Sequence, residues 1–397
     1  MSLIVDSRRS FSVKRIPDID YVSSFEKHYH SLKHKLDIYV PISSGEQESK
    51  FPVVVFAHGG GWKKGDRYGA VSKLHQNVGE SLASKGYVAC IISYRMSSVR
   101  FVDTLPAYFV IGGISFICSL INRGGAVSST TLFDTLIVPS IIALYAQYLR
   151  LRFGGISLEH PSHVEDLVSA LLWTSNHIEN FGGDPTKLAV MGHSAGAHMA
   201  MMLALTKYND IKDLMPKNSL RAVVCLSGVF SAEYLLHGTP EDPTWLVALG
   251  FIQRWYRRVF YLRAAFGVDP RKWSVSFPCG LLEAVLRRRD ENSFDDHTVN
   301  VPSVSSTLPF PILFINCKDD WGLHFQTDRL IELLNDCYKS VEIKKVRLSG
   351  GNHVSYLMDI SHEGRIGEDQ GMGAVDDFLH EAFERRNSEI PPKNIKQ

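Results

Sequence analysis

Gly192-His193-Ser194-Ala195-Gly196 fits the pattern G-x-S-x-G, with the apolar run LAVM before it and the helix-like AHMAMMLAL after it. A strand that runs into a helix through a sharp turn holds its serine in a strained conformation, and small neighbours give that turn room. The chemistry on offer is nucleophilic attack on an acyl carbon, with the start of the following helix favouring negative charge beside Ser194. A serine nucleophile needs a base and an acid that orients the base, and after such an elbow they follow in the order acid, then histidine. Two segments supply them: Cys317-Lys318-Asp319-Asp320-Trp321 after the run ILFIN, and Gly350-Gly351-Asn352-His353 after VEIKKVRL. His353 is the candidate base and Asp320 the candidate acid, with the adjacent Asp319 as the alternative. His58-Gly59-Gly60-Gly61-Trp62 follows the run VVVFA. Glycines there let the N–H groups of Gly60 and Gly61 point into the site. With the N–H of Ala195 they would form an oxyanion hole, each donor worth roughly 3–4 kcal/mol.

These residues need elements to hold them. Residues 36–40, 53–57 and 87–94 are short runs rich in Val, Ile and aromatics and read as strands. Between the last two, Leu74, Val78 and Leu82 recur at helical spacing over residues 72–84, and Gly86 follows as a stop. Residues 164–181 are amphipathic at helical spacing and stop at Gly182-Gly183-Asp184-Pro185. Residues 188–191, 222–226, 312–316 and 341–348 read as further strands. Strands alternating with helices predict an α/β fold with a mostly parallel central sheet covered on both faces, in one unit spanning residues 34–380. Residues 98–160 and 232–305 interrupt the alternation and read as insertions above the sheet. Residues 384–397 read as a loose charged tail.

The composition narrows the classes. The chain has 397 residues, a net charge of +1, 45% apolar and 21% charged residues. That is globular, and it excludes disorder and nucleic-acid binding through bulk positive charge. The six cysteines lie far apart with no C-x-x-C pair, which reads as reduced thiols in a cytosol-facing protein. The first residues, MSLIVDSRRS, lack the apolar stretch of a signal peptide. His28, His30 and His34 are close together, but no carboxylate or cysteine pattern completes a metal site, so they read as solvated. No metal or organic cofactor is expected.

Taken in order, HGGGW, FGGDP, GHSAGAH, KDD and GGNH resemble the α/β-hydrolase esterases on the hormone-sensitive-lipase and kynurenine-formamidase side of that superfamily. The likeness is greatest to isoprenylcysteine methylesterases, which also carry Y-R after the third strand, here Tyr94-Arg95. It covers most of residues 34–380 and leaves the two insertions poorly matched. Two departures stand out: the insertion after Tyr94-Arg95 is longer than that pattern, and Leu323-His324 stands where I-P often follows the acid. The resemblance implies an α/β-hydrolase fold, a serine carboxylesterase activity, a cap between the sixth and seventh strands, and a hydrophobic ester as substrate, such as a prenylcysteine methyl ester.

The insertions bear on the substrate and the location. Residues 105–122 and 135–149 carry no charge, and the first just reaches the ~18 residues of a spanning candidate. Arg123, Arg150 and Arg152 flank them. The two runs form either a membrane hairpin or a buried lid. Arg254, Arg257 and Arg258 share one face of an otherwise apolar, aromatic segment, as on an interfacial helix or the outside of a cap. An apolar roof favours a hydrophobic ester. The expected location is a membrane facing the cytosol, the endoplasmic reticulum among the candidates, with the cytoplasm as the alternative. Two rival functions remain open: a formamidase-type amide hydrolase, and a non-catalytic ligand-binding protein of the same fold.

Overall fold

A computed structural model describes residues 11–42, 50–69, 73–99, 155–156, 158–239, 250–290, 301–355 and 370–385, with positions 140, 141, 144 and 357. Its strands are β1 (Ser12–Asp20), β2 (Lys35–Ile42), β3 (Phe51–Ala57), β4 (Val88–Ile92), β5 (Met96–Ser97), β6 (Gly155–Ile156), β7 (Gly183–His193), β8 (Leu220–Leu226), β9 (Ile312–Asn316) and β10 (Ile343–Arg347). The main helices are α1 (Leu74–Ser84), α2 (Ser162–His177), α3 (Ala195–Met202), α4 (Gly250–Arg257), α5 (Pro278–Asp290), α6 (Leu323–Cys337) and α7 (Gln370–Glu384).

Eight strands form one sheet in the order β1-β2-β4-β3-β7-β8-β9-β10. The β1–β2 and β2–β4 pairs are antiparallel, and every pair from β4 to β10 is parallel. Side chains alternate across the sheet. Val53, Val55 and Ala57 of β3 join one core with Val164, Leu167 and Leu171 of α2, while Val54 and Phe56 join the other with Val78 and Leu82 of α1 and Phe378 and Leu379 of α7. The inner parallel strands β3, β4, β8 and β9 are largely buried on both faces and read as unbroken apolar runs, whereas β10 at the sheet edge is exposed or half-buried and carries Lys344 and Lys345. Their carboxyl ends all lie on one edge of the sheet, where ligands of such folds bind.

The sheet departs from the sequence reading at β1 and at the start of β7. β1 pairs with β2 from Ser12 to Asp20, so the sheet begins well before residue 34. Its residues are mostly exposed or half-buried, as on a sheet edge, and leave little apolar pattern. β7 starts at Gly183, where Gly182-Gly183-Asp184-Pro185 reads as a helix stop; Gly183 pairs with Phe51.

A buried ion pair ties the edge of the sheet to α2. The Arg95 guanidinium donates to Asp166 Oδ1 at 2.6 Å and the Arg95 N–H to Oδ2 at 2.8 Å. His34 Nε2 lies 3.1 Å from Asp166 Oδ1. This corrects the reading of the histidine cluster as solvated: His34 is buried against a carboxylate, and only His28 is exposed. Burial alone would raise the pKa of Asp166, but the hydrogen bonds from His34 and Arg95 outweigh it and hold it below the ordinary carboxylate value.

β5 and β6 run parallel and side by side, Met96 opposite Gly155. The chain therefore leaves and re-enters the fold at one place. Nearly all of residues 98–154 lie outside the described residues, and with them the hairpin or lid expected there. Ile141 and Leu144 are described, and are 57% and 53% exposed. Among the described residues no helix is long and apolar enough to cross a membrane. The tail beyond residue 385 and Cys118 also lie outside the described residues. The other five cysteines are free thiols.

Candidate active site

Ser194 sits between β7 and α3 with φ 53° and ψ −115°. Left-handed backbone at a non-glycine residue is costly, so the surroundings must hold it. They do so through the N–H of Ser194, which donates to the Leu226 carbonyl at 2.8 Å, and through two close backbone approaches. A Cβ on Gly192 would overlap the Gly196 carbonyl, and one on Gly196 would overlap the carbonyls of Ala57 and His58. Gly192 is thus required by the tightness of the turn itself, and Gly196 by its packing against the end of β3.

The structure brings Ser194, His353 and Asp320 into one hydrogen-bonded chain. Ser194 Oγ lies 3.0 Å from His353 Nε2, and His353 Nδ1 lies 2.8 Å from Asp320 Oδ1. With the Nδ1 proton donated to the carboxylate, Nε2 is left to accept from the serine hydroxyl. All three residues are buried. Asp319 is exposed and does not share this bond; its N–H donates to the Gly351 carbonyl at 3.1 Å. That bond, with Lys318 N–H to Gly350 O at 3.2 Å, stitches the loops after β9 and β10 together. The side chain of Asn352 accepts from the N–H groups of Val354 and Ser355 at 3.0 and 2.8 Å, closing the turn that presents His353.

Three supporting residues were not singled out in the sequence. Asn316, the last residue of β9, donates from Nδ2 to Asp320 Oδ2 at 2.8 Å and satisfies the second carboxylate oxygen. His193 donates from Nε2 to the His353 carbonyl at 2.9 Å, and its ring lies 4.8 Å from that of His353. Burial holds the pKa of His193 well below the ordinary value, so the ring is neutral. Trp321 lies against the His353 ring, centroids 4.3 Å apart. The position of His193 inside G-x-S-x-G and of Trp321 beside the acid was the available signal, but neither type announces a role by itself.

The glycine loop is pinned on several sides. The Tyr94 hydroxyl donates to the His58 carbonyl at 2.8 Å, and the His58 ring stacks on Tyr94 at 4.5 Å. His58 Nδ1 lies 2.6 Å from the Gly59 carbonyl, and burial pushes its pKa far down, so this imidazole is a structural donor. Gly60 and Gly61 have φ of 118° and 60°, conformations that L side chains resist. A Cβ on Gly61 would come 2.7 Å from Tyr261 Cε1, and one on Gly59 2.7 Å from His193 Nδ1. Trp62 follows, fully buried, with its ring 4.9 Å from that of Phe266 and 5.1 Å from that of His198. Lys63 Nζ lies 4.0 Å above the ring of Tyr261. The segment after β8 therefore reaches the glycine loop. Ala195 opens α3, where an N–H has no acceptor within the helix. Among the described residues no group of three or more His, Cys, Asp or Glu side chains is arranged to hold a metal.

Comparison with known proteins agrees with this architecture. The model of the carboxylesterase family matches residues 163–248, and that of BD-FAE matches residues 36–109. The chain is 46% identical to the probable carboxylic ester hydrolase LipM of Mycobacterium tuberculosis over 46 residues, 12% of this chain and 11% of that protein. It is 23% identical to the bile salt-activated lipase of Rattus norvegicus over 207 residues, 52% of this chain and 25% of that one. Such curated relatives are matched over only 11% to 25% of their own length. Among solved structures, esterase B from Lactobacillus rhamnosis superposes with a TM-score of 0.53 at 15% identity, over 95% of this chain and 87% of that one. A truncated carbohydrate esterase from gut microbiota gives 0.51 at 14% identity, over 96% and 99%. The parallel sheet, the elbow after β7 and these likenesses together make the fold that of the α/β-hydrolases.

Proposed function

We propose that the protein is a serine carboxylesterase that hydrolyses hydrophobic esters. The observation that carries this reading is the chain from Ser194 Oγ through His353 to Asp320, with bonds of 3.0 and 2.8 Å, beginning at a serine held at positive φ. Ser194 Oγ attacks the ester carbonyl as His353 Nε2 takes its proton, and Asp320 holds the imidazole in the tautomer this requires. The N–H groups of Gly60, Gly61 and Ala195 receive the oxyanion. The tetrahedral intermediate collapses as His353 passes the proton to the leaving alcohol. Water then attacks the acyl-serine by the same route in reverse, with His353 again the base.

The carboxylesterase-family match and the esterase-like fold support the reaction class. The aromatic surroundings support an apolar substrate. In this reading the segment after β8 caps the site: Tyr261 closes over Gly61, while Trp321 and Val354 offer exposed apolar surface beside His353. A prenylcysteine methyl ester, which the sequence resemblance implies, is one such substrate. The uncharged runs 105–122 and 135–149 associate with a membrane on the cytosolic side in the same reading, supported by their composition and by the exposure of Ile141 and Leu144.

The test is hydrolysis of a p-nitrophenyl ester series from acetate to laurate, with N-acetyl-S-farnesylcysteine methyl ester and N-formylkynurenine alongside. The expected result is a kcat/KM that rises with acyl length and exceeds that for the formamide. Cleavage of the formamide alone would move the assignment to an amide hydrolase, and cleavage of nothing would leave a binding protein.

A further inference from the structure

Trp321 combines features that do not belong together in an ordinary surface residue. It is a large aromatic, 67% exposed, in left-handed backbone at φ 50°. The turn explains the conformation but not the residue. Leu323 N–H donates to the Asp320 carbonyl at 2.9 Å, closing a four-residue turn whose central residues, Trp321 and Gly322, both have positive φ. Glycine, asparagine and aspartate suit such positions, and a bulky ring does not. Gly322 follows the rule: its φ is 71°, and a Cβ there would overlap the side chain of Thr239. Trp321 breaks it. A residue that violates its local preference at a site is expected to be held there by what its side chain does.

The side chain lies on His353. The two rings are 4.3 Å apart between centroids at 30°, close enough for the indole face to bear on the imidazole. The same turn fixes Asp320, so acid and indole reach His353 from adjacent residues. An indole face carries negative potential and attracts a cation above it. We propose that Trp321 is a positioning residue: its indole holds the His353 ring in place and attracts it most strongly when that ring carries the proton taken from Ser194. The proposal rests on the reading of Ser194 and His353 as nucleophile and base. The interaction strengthens as the imidazolium forms, so it lowers the barrier rather than merely binding the ground state.

Other groups around His353 leave room for this effect. Asp320 bonds Nδ1, His193 packs at 4.8 Å, and His58 and His75 act on His193 from behind it. Burial holds those three histidines below their ordinary pKa and therefore uncharged near neutrality. Lys318 and Asp319, on the loop bonded to Gly350 and Gly351, are exposed. Asp320 is common to all the variants below, so a change between them reads out the ring at 321.

The experiment measures the second-order rate of Ser194 phosphonylation by a fluorophosphonate from pH 5 to 9, in wild type and in Trp321→Asn, Trp321→Leu and Trp321→Phe. Asparagine suits positive φ, so that variant keeps its thermal midpoint if the strain argument holds. The expected result is a plateau rate about three- to tenfold lower in Trp321→Asn and Trp321→Leu, with the acid-limb midpoint moved down by about half a pH unit. Trp321→Phe recovers most of both. Leucine keeps apolar bulk without a ring, so it separates packing from attraction for the cation. An unchanged midpoint in Trp321→Leu, or equal losses in the phenylalanine and leucine variants, would overturn the proposal while leaving the triad standing. A wild type that does not react would overturn the proposed function and this inference with it.

Discussion

A Cβ on Gly196 would overlap the backbone carbonyl of Ala57, which ends the strand leading into the glycine loop. The serine turn and the glycine loop are therefore packed backbone to backbone, and the spacing between them is set by the absence of one methyl group. Gly196→Ala is expected to cost about 3 kcal/mol or more, because no side-chain rotation relieves a clash with backbone. Gly373→Ala in α7 is the control: a Cβ there meets nothing within 4 Å. It is expected to stabilise by roughly 0.8–1 kcal/mol through helix propensity. Urea denaturation of the two variants checks both, and a Gly196→Ala protein as stable as wild type would refute the packing argument.

Asp320 and Asp319 are adjacent, yet only Asp320 bonds His353. Asp320→Asn is expected to lower kcat about 10⁴-fold by favouring the wrong imidazole tautomer. Asp319→Asn should change it less than about threefold, since an exposed carboxylate is screened by solvent. Asn316→Ala falls between, because it leaves one buried Asp320 oxygen unsatisfied. Steady-state kinetics on one soluble ester decide the order, and equal losses at 319 and 320 would contradict the geometry.

The buried pair of Arg95 and Asp166 makes a different kind of prediction. Removing one partner leaves the other charged and without its bonds, so Asp166→Ala is expected to cost about 3–5 kcal/mol. Replacing both Arg95 and Asp166 by apolar residues should recover a large part of that loss. A double variant no more stable than Asp166→Ala would show that the pair is held for another reason.

Acid sensitivity follows from the buried histidines. Burial pushes His163 down to about 4 and His198 down to about 3, from 6.5 in the unfolded chain. Below pH 6.5 the unfolded chain binds protons that the folded protein refuses, so their stabilisation is full above pH 6.5 and is lost as pH falls toward those lower values. Each contributes a slope of roughly 1.4 kcal/mol per pH unit in that window. Urea midpoints at pH 7.5, 6 and 5 should fall in that order, and His198→Phe should flatten the fall. Midpoints that stay level down to pH 5 would mean that these rings are charged in the folded state.

The parallel centre of the fold was readable from sequence because buried parallel strands are continuous apolar runs: β3, β4, β8 and β9 stand out by composition alone. β1 was not, since Ser12–Asp20 lies at the sheet edge and mixes Lys14, Arg15 and Asp18 with apolar residues. The site shows the same division. Ser194, Asp320 and His353 could be named as candidates because each follows a strand run in the order that elbow chemistry requires, and the structure brings them within hydrogen-bond distance. Asn316, His193 and Trp321 carry no such signature, because their roles depend on which loops the fold brings together. Asp319 and Asp320 could not be separated by type or spacing. Only the fold separates them: Asp320 is buried and bonded to His353 and Asn316, while Asp319 is exposed.

The most direct measurement of the central claim is intact mass and peptide mapping after treatment with a fluorophosphonate, on wild type, Ser194→Ala and His353→Ala. The account predicts one adduct per chain on the peptide that contains Ser194, none in Ser194→Ala, and labelling slowed by about a thousandfold or more in His353→Ala. No adduct on the folded wild type, or an adduct on another residue that persists in Ser194→Ala, would contradict it.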